Sequence, residues 1–373
     1  MKFILAPDSF KESMTAKEVA DAMERGIRRV YKDADCVKVP MADGGEGTVQ
    51  SLVNGTNGNI YELEVMGPLK EKVTAKYGIL GCENTAVIEM AEASGHNHLQ
   101  MNERNPMITT TFGTGQLIKD ALNKGVKKIL IGIGGSATND GGAGMIQALG
   151  GKLLDEYGND LPFGGGYLDR LFKIDLKEFD RRIYDVEIEV ACDVKNPLTG
   201  ENGAAFVFGK QKGATRKMMT ILDDNLKHFS RIVKEQMDKD FENLEGAGAA
   251  GGMGFALVTF CNAKLKPGID IVIKYNNLED KIKDASYVIT GEGSVDSQTK
   301  YGKTPYGVAK VAQKYDVPVI VIAGNVGDGI DELYEHGINS IFSIIPGIRT
   351  LEEAIHEGVK NVENLMENIV RLL

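Results

Sequence analysis

The sequence predicts an α/β protein: a doubly wound parallel sheet built from both chain ends, with a second domain inserted between them. Three observations lead there. Apolar strand-length runs alternate with helical periodicity near the N-terminus and again after residue 284, the order that puts helices on a parallel sheet. From residue 58 the pattern changes to period-two alternation broken by tight turns, as in an antiparallel meander with one wet face. The length of 373 residues exceeds what a single core ordinarily organises. The domains are accordingly placed at 1–57 with 266–373, and at 58–265.

The elements follow in order. Lys2-Phe3-Ile4-Leu5-Ala6 is an apolar strand ending in Pro7-Asp8-Ser9. Thr15-Ala16-Lys17-Glu18 is a capping box, and Val19, Met23, Ile27 and Val30 recur behind it at helical spacing. Val37-Lys38-Val39-Pro40-Met41 reads as a second strand, followed by a glycine-rich break and a short helix to Gly55. In the insert, Tyr61, Leu63 and Val65, then Val73, Ala75, Tyr77 and Ile79, then Val87-Ile88-Glu89-Met90, form three close strands. Residues 128–133 are a buried strand, and Val186, Ile188 and Val190 mark another, ending at Cys192-Asp193. Met218, Leu222, Leu226, Phe229 and Val233 mark an amphipathic helix. Tyr287-Val288-Ile289-Thr290 is a strand ending at Gly291-Glu292-Gly293; a helix opens at Pro305; residues 318–323 and 341–344 are strands. Thr350-Leu351-Glu352-Glu353 caps one C-terminal helix. The two chain ends thus supply about five strands, whose ligand crevice belongs at their carboxyl ends.

Composition narrows the function. A net charge of −10 with no Lys/Arg stripe argues against nucleic-acid binding. No apolar run reaches the ~18 residues of a membrane span, and no signal peptide precedes the first strand, so a cytoplasmic protein without membrane contact is expected. Cys36, Cys82, Cys192 and Cys261 are scattered without a CxxC pair, which fits reduced thiols rather than a zinc site. His96 and His98 make a poor metal pair by themselves. Neither GxSxG nor HExxH occurs.

Five polar loops carry candidate chemistry. The run Gly132-Ile133-Gly134-Gly135-Ser136-Ala137-Thr138-Asn139-Asp140-Gly141-Gly142-Ala143-Gly144 follows a strand and opens a helix. Such a loop presents amides to a phosphate without hindering side chains, and Ser136 and Thr138 add hydroxyls. Tight helix packing would use the same glycines. Asp43-Gly44-Gly45-Glu46-Gly47-Thr48 ends a strand and suits an anion or hydroxy acid; Asp43 also suits a plain cap. Asp193 ends a strand, where a carboxylate can hold Mg²⁺ or accept a hydroxyl proton. Residues 291–305 bring Glu292, Asp296 and Lys303 within twelve positions: Lys303 can neutralise a moving phosphoryl group, and the acids can orient metal or substrate. Asp8-Ser9-Phe10-Lys11 closes the first strand, with Phe10 packing inward.

Taken together, Ala6-Pro7-Asp8-Ser9-Phe10-Lys11, the 43–48 loop, residues 134–142, Cys192-Asp193-Val194 with Asn196-Pro197-Leu198, the Gly246-Ala247-Gly248-Ala249-Ala250-Gly251-Gly252 run, and residues 290–293 through 298–305 resemble the glycerate kinase family, in order and over essentially the whole chain. The resemblance implies phosphoryl transfer from ATP to D-glycerate with Mg²⁺ required, the 2-phosphate being favoured. It implies a flavodoxin-like domain from both chain ends and an inserted α/β domain with a mixed sheet, with the active site in the cleft between them; the sequence leaves monomer and homodimer both open. On this reading Gly134, Gly135, Ser136, Thr138, Asn139, Asp140, Gly141 and Gly142 bind ATP; Asp8, Ser9, Lys11, Asp43, Gly44, Gly45 and Glu46 hold glycerate; Asp193, Lys303 and Asp296 are catalytic; Asp193 and Glu292 are metal ligands. The rival readings are a nonhydrolytic nucleotide- or metabolite-binding protein, against which the density of acids and lysines speaks, and a nicotinamide-dependent dehydrogenase, against which the absence of a first-unit GxGxxG speaks.

Overall fold

The computed structural model describes residues 1–45, 47–81 and 84–373. The chain divides into two compact units, Met1–Thr56 with Pro267–Leu373, and Asn57–Lys266.

The first unit holds a five-stranded sheet, every neighbouring pair parallel, in the spatial order Ser340–Ser343, Val319–Val326, Tyr287–Val295, Lys2–Pro7, Asp35–Lys38. This is the flavodoxin-like doubly wound order, and the strand sequence reverses between Lys2–Pro7 and Tyr287–Val295. Phe3, Ile4, Leu5 and Ala6 are all fully buried, which is why the central strand reads as an unbroken apolar run. The predicted capping box at Thr15 is made: Glu18 N–H donates to the Thr15 hydroxyl and Thr15 N–H to Glu18 Oε2. Its helix, Ala16–Arg28, buries Val19, Met23 and Ile27 against Val362, Met366 and Ile369 of Gly358–Val370. Gly26 allows that approach, since a Cβ there would lie 2.4 Å from the Glu363 carbonyl oxygen.

Three boundaries differ from the sequence reading. The second strand ends at Lys38. Val39 and Met41 still donate to Leu5 and Pro7, but the intervening Pro40 has no N–H. The strand from Tyr287 does not stop at Thr290 but runs to Val295, pairing with Val319–Val326 from Val288 to Glu292 and again at Ser294 and Val295. Gly291 is there for contact: a Cβ on it would sit 2.2 Å from the Ile322 carbonyl oxygen. The C-terminal helix is two helices, Leu351–His356 and Gly358–Val370.

The second unit holds a six-stranded mixed sheet in the order Lys264–Lys266, Glu187–Ala191, Lys128–Gly132, Thr85–Glu89, Lys72–Ile79, Asn59–Met66. The last three form the predicted antiparallel meander, and the first four strands are parallel. Glu89, Gly132 and Ala191 stand in register at the carboxyl ends of adjacent parallel strands. Residues 90–98, the glycine run and Asp193 therefore leave the sheet from one edge. The helix Arg216–Met237 buries Leu222, Leu226, Phe229 and Val233 as its periodicity predicts, with Met219 rather than Met218 completing the stripe. Among the described residues no helix is long and apolar enough to cross a membrane, and Cys36, Cys192 and Cys261 are free thiols. Cys82 and the site candidate Glu46 lie outside the described residues.

Candidate functional sites

In the first unit, the order reversal gathers the site. Register pairs Pro7 with Gly291, and Asp8 N–H donates to the Gly291 carbonyl at 2.8 Å, so Asp8, just past its strand, stands beside Glu292 inside the neighbouring one. Asp8 is held by three donors: Thr304 Oγ1 at 2.6 Å, Ser9 N–H at 2.6 Å and Ser9 Oγ at 3.3 Å. Burial nevertheless pushes its pKa up to about 6, outweighing the Thr304 bond and reinforced by the charge of Asp43. Glu292 is 8% exposed and accepts from Lys303 Nζ at 3.1 Å and Thr299 Oγ1 at 3.2 Å. Burial pushes its pKa up to about 7 against the opposing Lys303, and Asp8 adds to the rise. Lys303 caps the helix Thr304–Gln313 and also donates to the Ser294 carbonyl at 3.2 Å. Two carboxylates, one ammonium and a helix N-terminus thus converge within the first unit.

The other candidates of this unit are peripheral to that cluster or shape it. The half-buried Asp43 turns its own loop by accepting from Gly45 N–H at 3.1 Å, and Gly44 adopts φ +91°. Gly268 lets the loop press in, a Cβ there falling 2.0 Å from the Asp43 carbonyl oxygen. Lys11 is exposed. Asp296 accepts from Gln298 N–H at 2.8 Å, and its own N–H donates to the Thr299 hydroxyl at 3.2 Å. Its carboxylate therefore holds the turn that carries Thr299 to Glu292. Thr299 and Thr304 are site residues the sequence reading missed; both are fully buried, and a threonine gives no pattern by which to tell such a role from packing.

In the second unit the glycine run is largely interior. Gly134 and Gly135 are exposed, whereas Ser136, Thr138, Asn139 and Asp140 are buried. Asp140 is fully enclosed and accepts from Thr111 N–H at 2.8 Å, Thr111 Oγ1 at 2.9 Å, Gly142 N–H at 3.1 Å and Gly144 N–H at 3.2 Å. Burial raises its pKa against those bonds. The carboxylate is the organiser of the loop, and two of the loop amides are spent on it.

Gly141 and Gly142 take φ of +62° and +76°, and a Cβ on Gly142 would lie 2.3 Å from that of Ala256. The Gly246–Gly252 segment explains the packing. Ala250, Gly251 and Gly252 are consecutively left-handed, at φ +53°, +71° and +93°, and Gly141 N–H donates to the Gly251 carbonyl at 2.9 Å. Two glycine runs are pressed backbone to backbone. The fully buried Thr138 hydroxyl and both ends of the Asn139 amide have no hydrogen-bond partner among the described residues. Asp193 is exposed beyond Glu187–Ala191.

No group of three or more His, Cys, Asp or Glu side chains among the described residues is placed to hold a metal ion. A Mg²⁺ site of the kind that takes one or two protein carboxylates and completes its shell with water and phosphate oxygens needs no such group. The hard oxygen donors of Asp8 and Glu292, whose mutual repulsion a cation would relieve, fit that kind of site.

The glycerate kinase family model matches residues 3–373. The chain is 54% identical over 369 residues to a glycerate kinase of Bacillus subtilis, covering 99% of this chain and 97% of that one. It is 51% identical over 373 residues to the glycerate 2-kinase of Escherichia coli, covering 100% and 98%. A crystal structure from Salmonella typhimurium LT2, of a protein described as a glycerate kinase 2, superimposes with a TM-score of 0.92 at 50% identity, covering 100% of this chain and 98% of that one.

Proposed function

This chain belongs to the glycerate kinase family, and from that premise we propose that it moves the γ-phosphoryl group of ATP to the 2-hydroxyl of D-glycerate. It is an ATP-dependent glycerate kinase; the regiochemistry and the residue roles below are our reading. The observation that carries the roles is the cluster at the order reversal of the first unit, where Lys303 and Glu292 meet at 3.1 Å beside Asp8.

Phosphoryl transfer asks an enzyme chiefly for positioning and charge neutralisation. Lys303, fixed on a helix N-terminus by Glu292 and Ser294, stabilises charge on the transferring oxygens. Glu292 and Asp8 would hold Mg²⁺, which when bound supplies charge neutralisation at the phosphates. Thr304 and Ser9 donate to Asp8 and so fix its carboxylate, while Asp296 and Thr299 orient Glu292. Ser9, Lys11 and the loop Asp43-Gly44-Gly45, with Glu46 beyond the described residues, receive glycerate; Lys11 pairs with its carboxylate.

In the second unit, the exposed Gly134 and Gly135 present backbone to the ATP phosphates. Asp140 holds the loop in shape by accepting from Gly142 and Gly144 N–H, while Ser136, Thr138 and Asn139 lie between it and Gly135 and complete the ATP-binding loop. The exposed Asp193 accepts the proton of the attacking hydroxyl. On this reading the protein works in the cytoplasm.

Phosphorus NMR of the product made from ATP and D-glycerate tests the reading. ADP with 2-phosphoglycerate is expected. A 3-phosphate would overturn the regiochemistry, and ADP release independent of glycerate would overturn the kinase reading.

A further inference from the structure

Lys212 ends the short turn Lys210–Lys212 and is 2% exposed. Its amino group donates to the Ser136 hydroxyl at 2.8 Å and to the Thr138 carbonyl at 2.6 Å. Both partners are neutral. Burial lowers its pKa to about 7, with the charge of Asp140 acting in the opposite direction. An ammonium kept in an interior without a closely paired carboxylate is costly.

Other donors meet at the same corner. Arg104 donates to the Gln211 carbonyl at 3.1 Å, while its Nε is buried without a partner among the described residues. Gly213, at φ +90°, lets the turn close on Arg104; a Cβ there would lie 2.2 Å from the Arg104 carbonyl oxygen. His96 N–H donates to the Gly135 carbonyl at 3.0 Å, and Gly95 bridges Ser136. The His96 Nδ1 is buried and unpartnered. Burial, followed by the charges of Lys212 and Arg104, lowers its pKa to about 4. Thr138 Oγ1, fully enclosed, is also unpartnered. Interiors satisfy nearly all their buried polar groups. Here several stay unspent together, around a lysine one bond from Ser136, next to the exposed Gly134 and Gly135.

We propose that Lys212, Arg104 and Ser136, with His96 at their edge, form an oxyanion site in the second unit that receives an anionic group of a substrate, either a phosphate of ATP or the carboxylate of glycerate. It rests on the reading that the glycine run faces a substrate. An oxyanion supplies what Lys212 lacks, a negative partner for its remaining hydrogen. It also favours the protonated amine, so binding takes up a proton at about pH 8.

Calorimetric titration of the full chain with MgATP alone and with D-glycerate alone, in two buffers of different ionisation enthalpy, tests this. One ligand is expected to bind with proton uptake. Lys212→Met should abolish that uptake and weaken the same ligand by ~10-fold or more, the value of a charge-assisted hydrogen bond. Uptake with MgATP assigns the site to phosphate, and uptake with glycerate assigns it to carboxylate. Arg104→Gln, at a half-exposed position, gives the same affinity readout should Lys212→Met fold poorly. If the wild-type protein takes up no proton with either ligand and both variants bind both ligands within ~2-fold, the proposal is overturned. Gly134→Val separates the two readings: unchanged affinities there, with loss in Lys212→Met, would sink the loop assignment and leave this site standing.

Discussion

Lys303 reaches back from the cap of the helix Thr304–Gln313 to hold Glu292 at 3.1 Å, joining a helix N-terminus to the strand beside the order reversal. The bond opposes the burial that neutralises this acid without cancelling it, and the balance leaves Glu292 with a pKa of about 7 and its neighbour Asp8 with one of about 6.

The first consequence is a pH dependence. Both carboxylates must be ionised to hold a cation, so kcat/KM should fall as pH drops from about 7 through about 6. Glu292→Gln should lower the rate and move the acid limb down towards the Asp8 value. An unmoved acid limb would remove Glu292 from the site. The stability sign is opposite. The folded protein keeps a proton on Glu292, between the ordinary 4.5 and about 7, that the unfolded chain releases. Stability should therefore decline as pH rises through that window, and urea titrations of Glu292→Gln should lack this component.

Asp140 is a structural acid on this account. Asp140→Asn puts an amide among four donors in a fully buried position, and should cost ~2 kcal/mol or more, seen as a lower urea midpoint. Full stability with lost activity would instead make it a ligand-contacting residue.

Gly142 tests the packing of the two glycine runs. Gly142→Ala meets Ala256 Cβ at 2.3 Å at a left-handed φ, where an alanine is strained even without a clash. A loss of ~2 kcal/mol or more is expected, read as a drop in Tm. A stable variant that has lost only ATP affinity would contradict the packing role.

Asp193 is exposed, so Asp193→Asn should leave Tm unchanged. As a proton acceptor its loss should lower kcat by ~10²-fold. Near-normal turnover would take that role away.

The fold was largely readable because its signals are periodic. Capping boxes at Thr15 and Thr350 are made as read, and the shift from apolar runs to alternation near residue 58 marks where the parallel sheet of one unit gives way to the meander of the other. Boundaries failed where glycine was read as a break: Gly291 continues a strand because the neighbouring Ile322 backbone needs the space. The glycine run after Gly132 is ambiguous for the same reason. Room for a phosphate and room for Gly251 demand the same missing Cβ. Lys212 was invisible because Lys210-Gln211-Lys212-Gly213 reads as a solvated turn, and only the folded chain shows one of its lysines buried against Ser136.

The most direct measurement of the central claim is steady-state glycerate-dependent ADP release by Lys303→Met, with circular dichroism to establish the fold. Removing the ammonium beside Glu292 should lower kcat by ~10²–10³-fold while the protein remains folded. A folded variant turning over at the wild-type rate would show that phosphoryl transfer does not occur at the Asp8–Glu292–Lys303 cluster.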